Sequence, residues 1–568
     1  MDIQLVRGPR ATTLLEDEPF GRSWAELFSA CPWASTFQDP RFVRIWHRHY
    51  RETFELIGLW SGPSDAIEGI LFLARPRAGG DLVAAGSHHA EYQAWLAKDE
   101  ESGERFIQEA LRALQKTFPD GRLRLGFLAP GVPTQWLQQA PWDRLVDVRI
   151  EPGAWIDTDS PELNGRLARR KLRKLESIEK SVRLEVITDA ETFERELPSF
   201  QDLCDFRQAS INDVRPFRED PCKGPFHADL VRHAPDLMHV SRLICEAHVL
   251  SAQINMRHRR DVLVCVQGHL PQMSRHSPGF CHMVLLAKRL SDEGVPALDL
   301  SPGGGYKQRN ATRTAPTHDL RIDLSPAAAW RRRIRTQTMR QLRTITRQPL
   351  KNGITLEDYL RKARSWASNQ PRNPSGLLRS LGHTLRQRVD LDIWALDPGG
   401  DPISAPTQIR IDDIGDILSY HPRSSTDVSR WVFCRAAADR WAYEHHIYTT
   451  PSMSKAHQWV WLARGPTEVS LDPDLAKLKI PEGEALFYDA GGSLQTTQVG
   501  NWMAHASRAS KKIRLLWAIA KHDENASTIA RSLGFRLIFS LHSESRFGDV
   551  RHSSVPPAEY TATQTQTP

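Results

Sequence analysis

The chain has 568 residues, 40% of them hydrophobic and 25% charged, with a formal net charge of +7 and 7 cysteines. That balance belongs to a folded globular protein long enough for several domains, and it excludes a disordered or fibrous chain. The longest apolar run, Leu515 to Ala520, falls far short of the roughly 18 residues a membrane-spanning helix needs, and scattered cysteines without a Cys-x-x-Cys pair point to reduced thiols rather than a disulfide framework or zinc finger.

In chain order, a first region covers residues 1–158. Met1 to Phe20 carries Glu16, Asp17 and Glu18 and no apolar stretch of the secretory kind, so a cytoplasmic location is expected. Strands are predicted over 54–60 and 67–74. A helix follows over 104–116, with Phe106, Ile107, Ala110, Leu111 and Leu114 on one face, and then a strand over 123–128. The second region, 159–326, opens with a basic amphipathic helix, Arg166 to Glu176. Helical patterns run over 190–210 and 226–233, and strands over 239–245, 248–256 and 261–267. A helix starts after Ser277, and a strand covers 295–300.

Residues 327–389 form a basic connector. They hold fifteen Lys and Arg against Glu357 and Asp358, a net +13 that leaves −6 for everything else. Trp330, Ile334, Leu342 and Ile345 fit a helical stripe there. Such a segment suits an anionic membrane surface or an acidic partner, or serves as a solvated helical linker. It lacks the aromatic interleaving of single-strand nucleic-acid binders. The fourth region, 390–552, reads as strands over 459–463, 484–489, 513–520 and 535–541. Helices are read over 500–510 and 525–533, the second stopped by Gly534. The Pro/Thr/Gln-rich tail, 553–568, has the composition of a disordered segment. The order strand, strand, helix, strand thus recurs three times, which predicts an α/β (α+β) protein of mixed central sheets flanked by helices.

Four stretches resemble the GNAT acyltransferase superfamily, and within it the CelD-like branch, related to the Fem-type peptidoglycan bridge transferases. They are the basic opening helix Arg169-Arg170-Lys171-Leu172-Arg173-Lys174-Leu175, the turn Ser277-Pro278-Gly279 before the central helix, Asp299 through Gly305-Tyr306-Lys307, and the acidic-aromatic His89-Ala90-Glu91-Tyr92 upstream. Together they span about the first 325 residues. The fourth region resembles a divergent GNAT domain: Asn525 through Gly534-Phe535 looks like its ending. Gln495, Gln498, Gly500 and Asn501 stand where its pyrophosphate loop belongs, a departure that puts donor binding there in doubt. The resemblance implies tandem GNAT-like units, acetyl-CoA or another acyl-CoA as donor, and an amine acceptor on a small molecule or envelope-polysaccharide sugar precursor. Its Fem-type side implies, as an alternative, aminoacyl-tRNA as donor, and tandem degenerate units also suit a non-catalytic acyl-CoA sensor or scaffold.

Acyl transfer from a thioester to an amine needs a base, donors aimed at an oxyanion, and a cradle for the CoA diphosphate. A helix N-terminus supplies the cradle through amides that have no partner inside the helix. Ser277 as N-cap, Pro278 in the first turn, Gly279 for close approach, Phe280 beside them and Arg275 just upstream fit that task, or form a plain helix cap. Asp299 either orients and deprotonates an amine or caps a turn. Tyr306 holds the leaving thiol, stacks on a sugar or packs in the core. Lys307 pairs with a phosphate or carboxylate or stays solvated. His269 is a second candidate base or a structural histidine. In the fourth region Gln498, Gly500, Asn501 and Asn525 are the cofactor candidates, with Asn525 equally suited to cap its own helix. His88-His89 and His445-His446 are paired, but no carboxylate or cysteine falls at a known metal-site spacing, so no metal is expected.

Overall fold

In the computed structural model the described residues are 1–178, 181–246, 248–332, 334, 386–398, 409–422, 428–450, 458–472, 476–491, 494–508, 513–546 and 549–555. Apart from residues 209–213, those through Ile334 form one compact unit and those from Arg386 onward a second. Most of the basic connector and the tail beyond Val555 lie outside the described residues; the connector's last residues, from Arg386, begin a strand.

The first unit is built on one 13-stranded sheet. Its strands are β1 Ile3–Arg7, β2 Phe54–Ser61, β3 Gly69–Pro76, β4 Leu82–Ala84, β5 Leu96–Ala97, β6 Arg122–Leu125, β7 Val146–Asp157, β8 Val182–Ile187, β9 Met238–Cys245, β10 His248–His258, β11 Asp261–His269, β12 Ala297–Asp299 and β13 Arg313–Asp323. The spatial order is β1-β2-β3-β4-β6-β13-β7-β12-β11-β10-β9-β8, with β5 set beside β3. That order reads the same from both ends. In each half three antiparallel contacts lead to one short parallel pair, β4 with β6 and β11 with β12.

The last strands are exchanged. Strand β7 follows β6 in the chain yet pairs with β12, and β13 follows β12 yet pairs with β6. They meet each other antiparallel from Trp155 opposite Arg313 to Val146 opposite Ile322, and this pair joins the two halves. The sequence reading missed both strands. Residues 148–151 of β7 are exposed, so its apolar pattern is broken, and Pro152 and Pro316, each unable to donate to a ladder, face each other across the seam.

One long helix lies in each half between the parallel strands. In Glu100–Thr117 the buried residues Gly103, Phe106, Ile107, Ala110, Leu111 and Leu114 follow the helical repeat read from the sequence. In Pro278–Asp292, Met283, Val284, Leu286, Ala287 and Leu290 pack with Val262, Leu298 and Ile156 of the sheet. Tryptophans fill much of the first half: Trp24, Trp33, Trp46, Trp95, Trp136 and Trp142 are all fully buried.

The second unit carries an eight-stranded sheet from β14 Arg386–Leu396, β15 Arg410–Ile411, β16 His446–Thr450, β17 Gln458–Arg464, β20 Glu484–Gly491, β21 Arg514–Ala520, β22 Arg536–Arg546 and β23 Asp549–Val555, with a separate ribbon of β18 Thr467–Asp472 and β19 Ala476–Ile480. Its order is β15-β16-β17-β20-β21-β14-β22-β23. Again one pair, β20 with β21, is parallel. Strand β14 lies antiparallel between β21 and β22, as β7 lies between β12 and β13.

Candidate active site

Strands β11 and β12 run side by side for two registers only, Val262 opposite Leu298 and Leu263 opposite Asp299. Strand β12 then ends while β11 continues to His269, and a gap opens between them. The β10–β11 register slips at this level: Ile254 faces Val266 and Asn255 faces Val264, so Cys265 bulges from the ladder. Val264, Cys265, Gln267 and His269 are partly exposed along the gap. The backbone edge there has no β12 strand partner, which leaves polar groups for a ligand.

The start of helix Pro278–Asp292 borders the gap. Gln267 Nε2 donates to Gly279 O at 3.3 Å, and a Cβ on Gly279 would meet Gln267 Nε2 at 3.2 Å and His269 Nδ1 at 3.6 Å. Pro278 holds the first helical position, as expected. Ser277 holds the N-cap position, as expected, but not through its hydroxyl. It sits in the left-handed region (φ 57°, ψ 48°), its side chain caps nothing, and it is its carbonyl that receives the amides of Phe280 and Cys281, both at 3.0 Å. Pro278 has no N–H, so the Gly279 amide is the one these bonds leave unspent. Lys171, from the basic helix Arg166–Glu176, holds its Nζ 4.2 Å from the centre of the Phe280 ring, a cation–π contact that brings a positive charge to the helix start. Arg275 is exposed, with Nε 2.7 Å from His276 Nε2.

Asp299, at the end of β12, is fully buried. Its Oδ1 accepts the Ser301 N–H at 2.7 Å and its Oδ2 accepts the Tyr92 hydroxyl at 2.8 Å. Burial pushes its carboxyl up to about 7, against the pull of Ser301, Tyr92 and Lys307. Tyr92 comes from the other half of the sheet and packs on the His258 ring, 5.2 Å between centres. Its neighbour Glu91 is half-buried and likewise raised by burial, with Lys307 and Lys223 opposing. Lys307 Nζ donates to Ser301 Oγ at 2.6 Å and Pro302 O at 3.4 Å. Burial lowers its pKa, while Glu91 and Asp299 draw it back. Cys265 feels both carboxyls, and burial first, then those charges, hold it as a thiol well above its ordinary pKa. His269 is pushed down to about 4 by burial, so it is neutral near pH 7.

The sequence had flagged His89 to Tyr92 by resemblance alone; only the fold reveals that this segment reaches Asp299. Tyr306 is 38% exposed on the short helix Gly305–Asn310, so it does not pack in the core.

The matching gap in the first half is closed from within. Gln93 Oε1 accepts the Gly126 N–H at 2.8 Å, Gln93 Nε2 donates to Ser87 O at 3.0 Å, and Gln93 bridges in parallel to Leu128. The helix beside it starts at Asp99, whose carboxylate accepts the Ser102 N–H, followed by Glu100 and Glu101. Three acids at a helix N-terminus spend its field and repel another anion.

In the second unit Gly500 and Asn501 are buried inside helix Thr496–Arg508, which begins earlier than the expected 500–510. The Gln498 amide turns back to Gln495 O at 3.1 Å. Helix Glu524–Ser532 is capped by Asp523, which accepts the Ala526 N–H, so Asn525 is not its cap; Asn525 Nδ2 instead donates to Leu494 O at 3.3 Å. Tyr488, where β20 and β21 cease pairing, lies 2.6 Å from His445 Nδ1 through its hydroxyl.

Residues 166–308 match the family model described as an acetyltransferase (GNAT) domain. None of the curated proteins matches the chain. Among solved structures, FemX is 9% identical over 54% of this chain and 94% of its own, with a TM-score of 0.37. A tandem GNAT protein from the clavulanic acid biosynthesis pathway is 12% identical over 57% of this chain and 99% of its own, with a TM-score of 0.34. A conserved protein of unknown function from Bacteroides thetaiotaomicron is 8% identical over 55% and 97%, with a TM-score of 0.37.

Proposed function

We propose, for a chain whose residues 166–308 form a GNAT acyltransferase domain, that an acyl group passes from acyl-CoA to an amine of a small molecule or sugar precursor in the gap between β11 and β12. The observation that carries this reading is the Tyr92–Asp299 hydrogen bond, which places the Glu91-Tyr92 pair of one half beside the open gap of the other. The donor diphosphate meets the Gly279 amide and Lys171, and the pantetheine arm lies along the unpaired edge of β11. The half-buried Glu91 meets the acceptor ammonium. Asp299, with a pKa near neutrality, is suited to receive the proton that the amine gives up. The free amine attacks the thioester carbon and a C–N bond forms; the C–S bond then breaks, the second proton of the attacking nitrogen passes to the departing thiolate, and CoA leaves as the thiol. Edge amides of β11 stabilise the intermediate oxyanion.

Two measurements test this. Acetyl-CoA at a hundredfold excess over its Kd should stabilise the full chain by about 2.7 kcal/mol, and CoA thiol should appear with amino-sugar acceptors. Absence of any thermal shift would sink the acyl-CoA reading. One observation favours a second donor. The helix Arg166–Glu176 buries only Ala168 and Leu175 and leaves Arg169, Arg170, Arg173 and Lys174 exposed, a surface for the phosphates of an aminoacyl-tRNA. Salt-sensitive tRNA binding without an acetyl-CoA shift would select it.

A further inference from the structure

A group that the reaction above does not use lies at the turn just before Glu91. His88 and His89, adjacent in the chain, lie with ring centres 4.0 Å apart and planes tilted by 41°, and both aim Nε2 at one carboxylate oxygen, Asp220 Oδ2, at 3.5 Å and 3.4 Å. The three ligand atoms all lie within 4.8 Å of one another. Two donors about 2.1 Å from a tetrahedral metal are about 3.4 Å apart, so these spacings are those of ligands around a shared ion. They are long for hydrogen bonds. The His89 side chain is 2% exposed, yet its Nε2 has no hydrogen-bond partner. An atom so buried and so aimed needs something at that point.

The surroundings suit the same reading. The Tyr50 hydroxyl donates to Asp220 Oδ2 at 2.7 Å and the Cys222 N–H to Oδ1 at 3.1 Å, which fixes the carboxylate as a second shell does. The nearby ammonium of Lys223 turns onto the Phe217 ring, 5.3 Å from its centre. The His88 side chain is 58% exposed, so the position opposite the buried ligands opens to solvent.

We propose that His88, His89 and Asp220 bind one divalent transition metal of the zinc, cobalt or nickel class through two imidazole nitrogens and a carboxylate oxygen, leaving one position open. The ion would pin the segment that carries Glu91 and Tyr92 to the segment at Asp220. The sequence could not show it, because the carboxylate ligand is remote in the chain from the histidines.

The test uses tag-free, chelator-stripped full-length protein. Zinc titrated by calorimetry should fill one site that is lost in the exposed-ligand variant His88→Ala, and cobalt should give a visible d–d band that the same variant abolishes. His446→Ala, which alters a histidine paired with Asp412 elsewhere, should leave both intact. Asp220→Asn should weaken zinc by at least about tenfold, with circular dichroism confirming that it folds. An unchanged zinc stoichiometry in His88→Ala, or no zinc binding by the parent chain, overturns the proposal.

Discussion

Helix Glu100–Thr117 and helix Pro278–Asp292 occupy equivalent places in the two halves of one sheet, each beside a parallel pair that separates after two registers. One begins Asp99-Glu100-Glu101 and faces a gap that Gln93 fills. The other begins Ser277-Pro278-Gly279, carries no acid in its first turn, and faces a gap left open. The strands are alike and the chemistry is not. What separates the open gap from the filled one is a few side chains at one helix end and one glutamine. The first half still reaches the second: Tyr92 belongs to it and bonds Asp299 beside the open gap.

Variants can break this contrast. The largest effect is expected from Asp299→Asn, which should lower kcat/KM by about 10²–10⁴-fold while acetyl-CoA still raises thermal stability; equal loss of donor binding would mean Asp299 only shapes the fold. Next, Gly279→Trp places a ring where Gln267 and His269 already crowd the helix start, and it should abolish the acetyl-CoA shift in a thermal melt. A shift that survives this variant but disappears on deleting residues 391–568 would move donor binding to the second unit.

The third test is pH. Asp299 holds its proton up to about pH 7 in the folded chain, against about 3.9 when unfolded. The folded state therefore binds more protons between those values, and this group's contribution to stability falls as pH rises from about 4 to 7 and is gone above. Activity should rise over the upper part of that window. Urea melts of Asp299→Asn should lose that part of the slope; an unchanged slope would assign it to other groups. The smallest effect belongs to the helix beside the filled gap: Asp99→Ala removes a cap and should cost about 0.5–2 kcal/mol of stability with acyl transfer rates unchanged.

Periodicity made the long helices and most inner strands legible, because burial on one helical face or along a continuous strand leaves a regular apolar pattern. The predicted 166–176 helix agrees with the observed Arg166–Glu176, and Pro278–Asp292 starts at the turn that Ser277-Pro278-Gly279 announced. Asp299 and Lys307 could be singled out by resemblance. Their partners could not, since the Tyr92–Asp299 bond is a tertiary contact between residues 207 apart. Ser277 sits at the N-cap as read, but a serine before Pro-Gly ordinarily caps with its hydroxyl, and here a left-handed backbone does the turning. The start of the helix expected over 500–510 was read too late because the helix begins earlier than its apolar stripe, at Thr496.

The exchange of β7 and β13 has a consequence for how the chain is made. The first half cannot finish its own sheet until residues 313–323 have left the ribosome, since β13 is the strand that seals β6. An emerging 1–158 segment exposes that edge meanwhile, and long-range pairing of this kind is slow. Neither half is a free-standing unit: deleting one would remove a strand that completes the other.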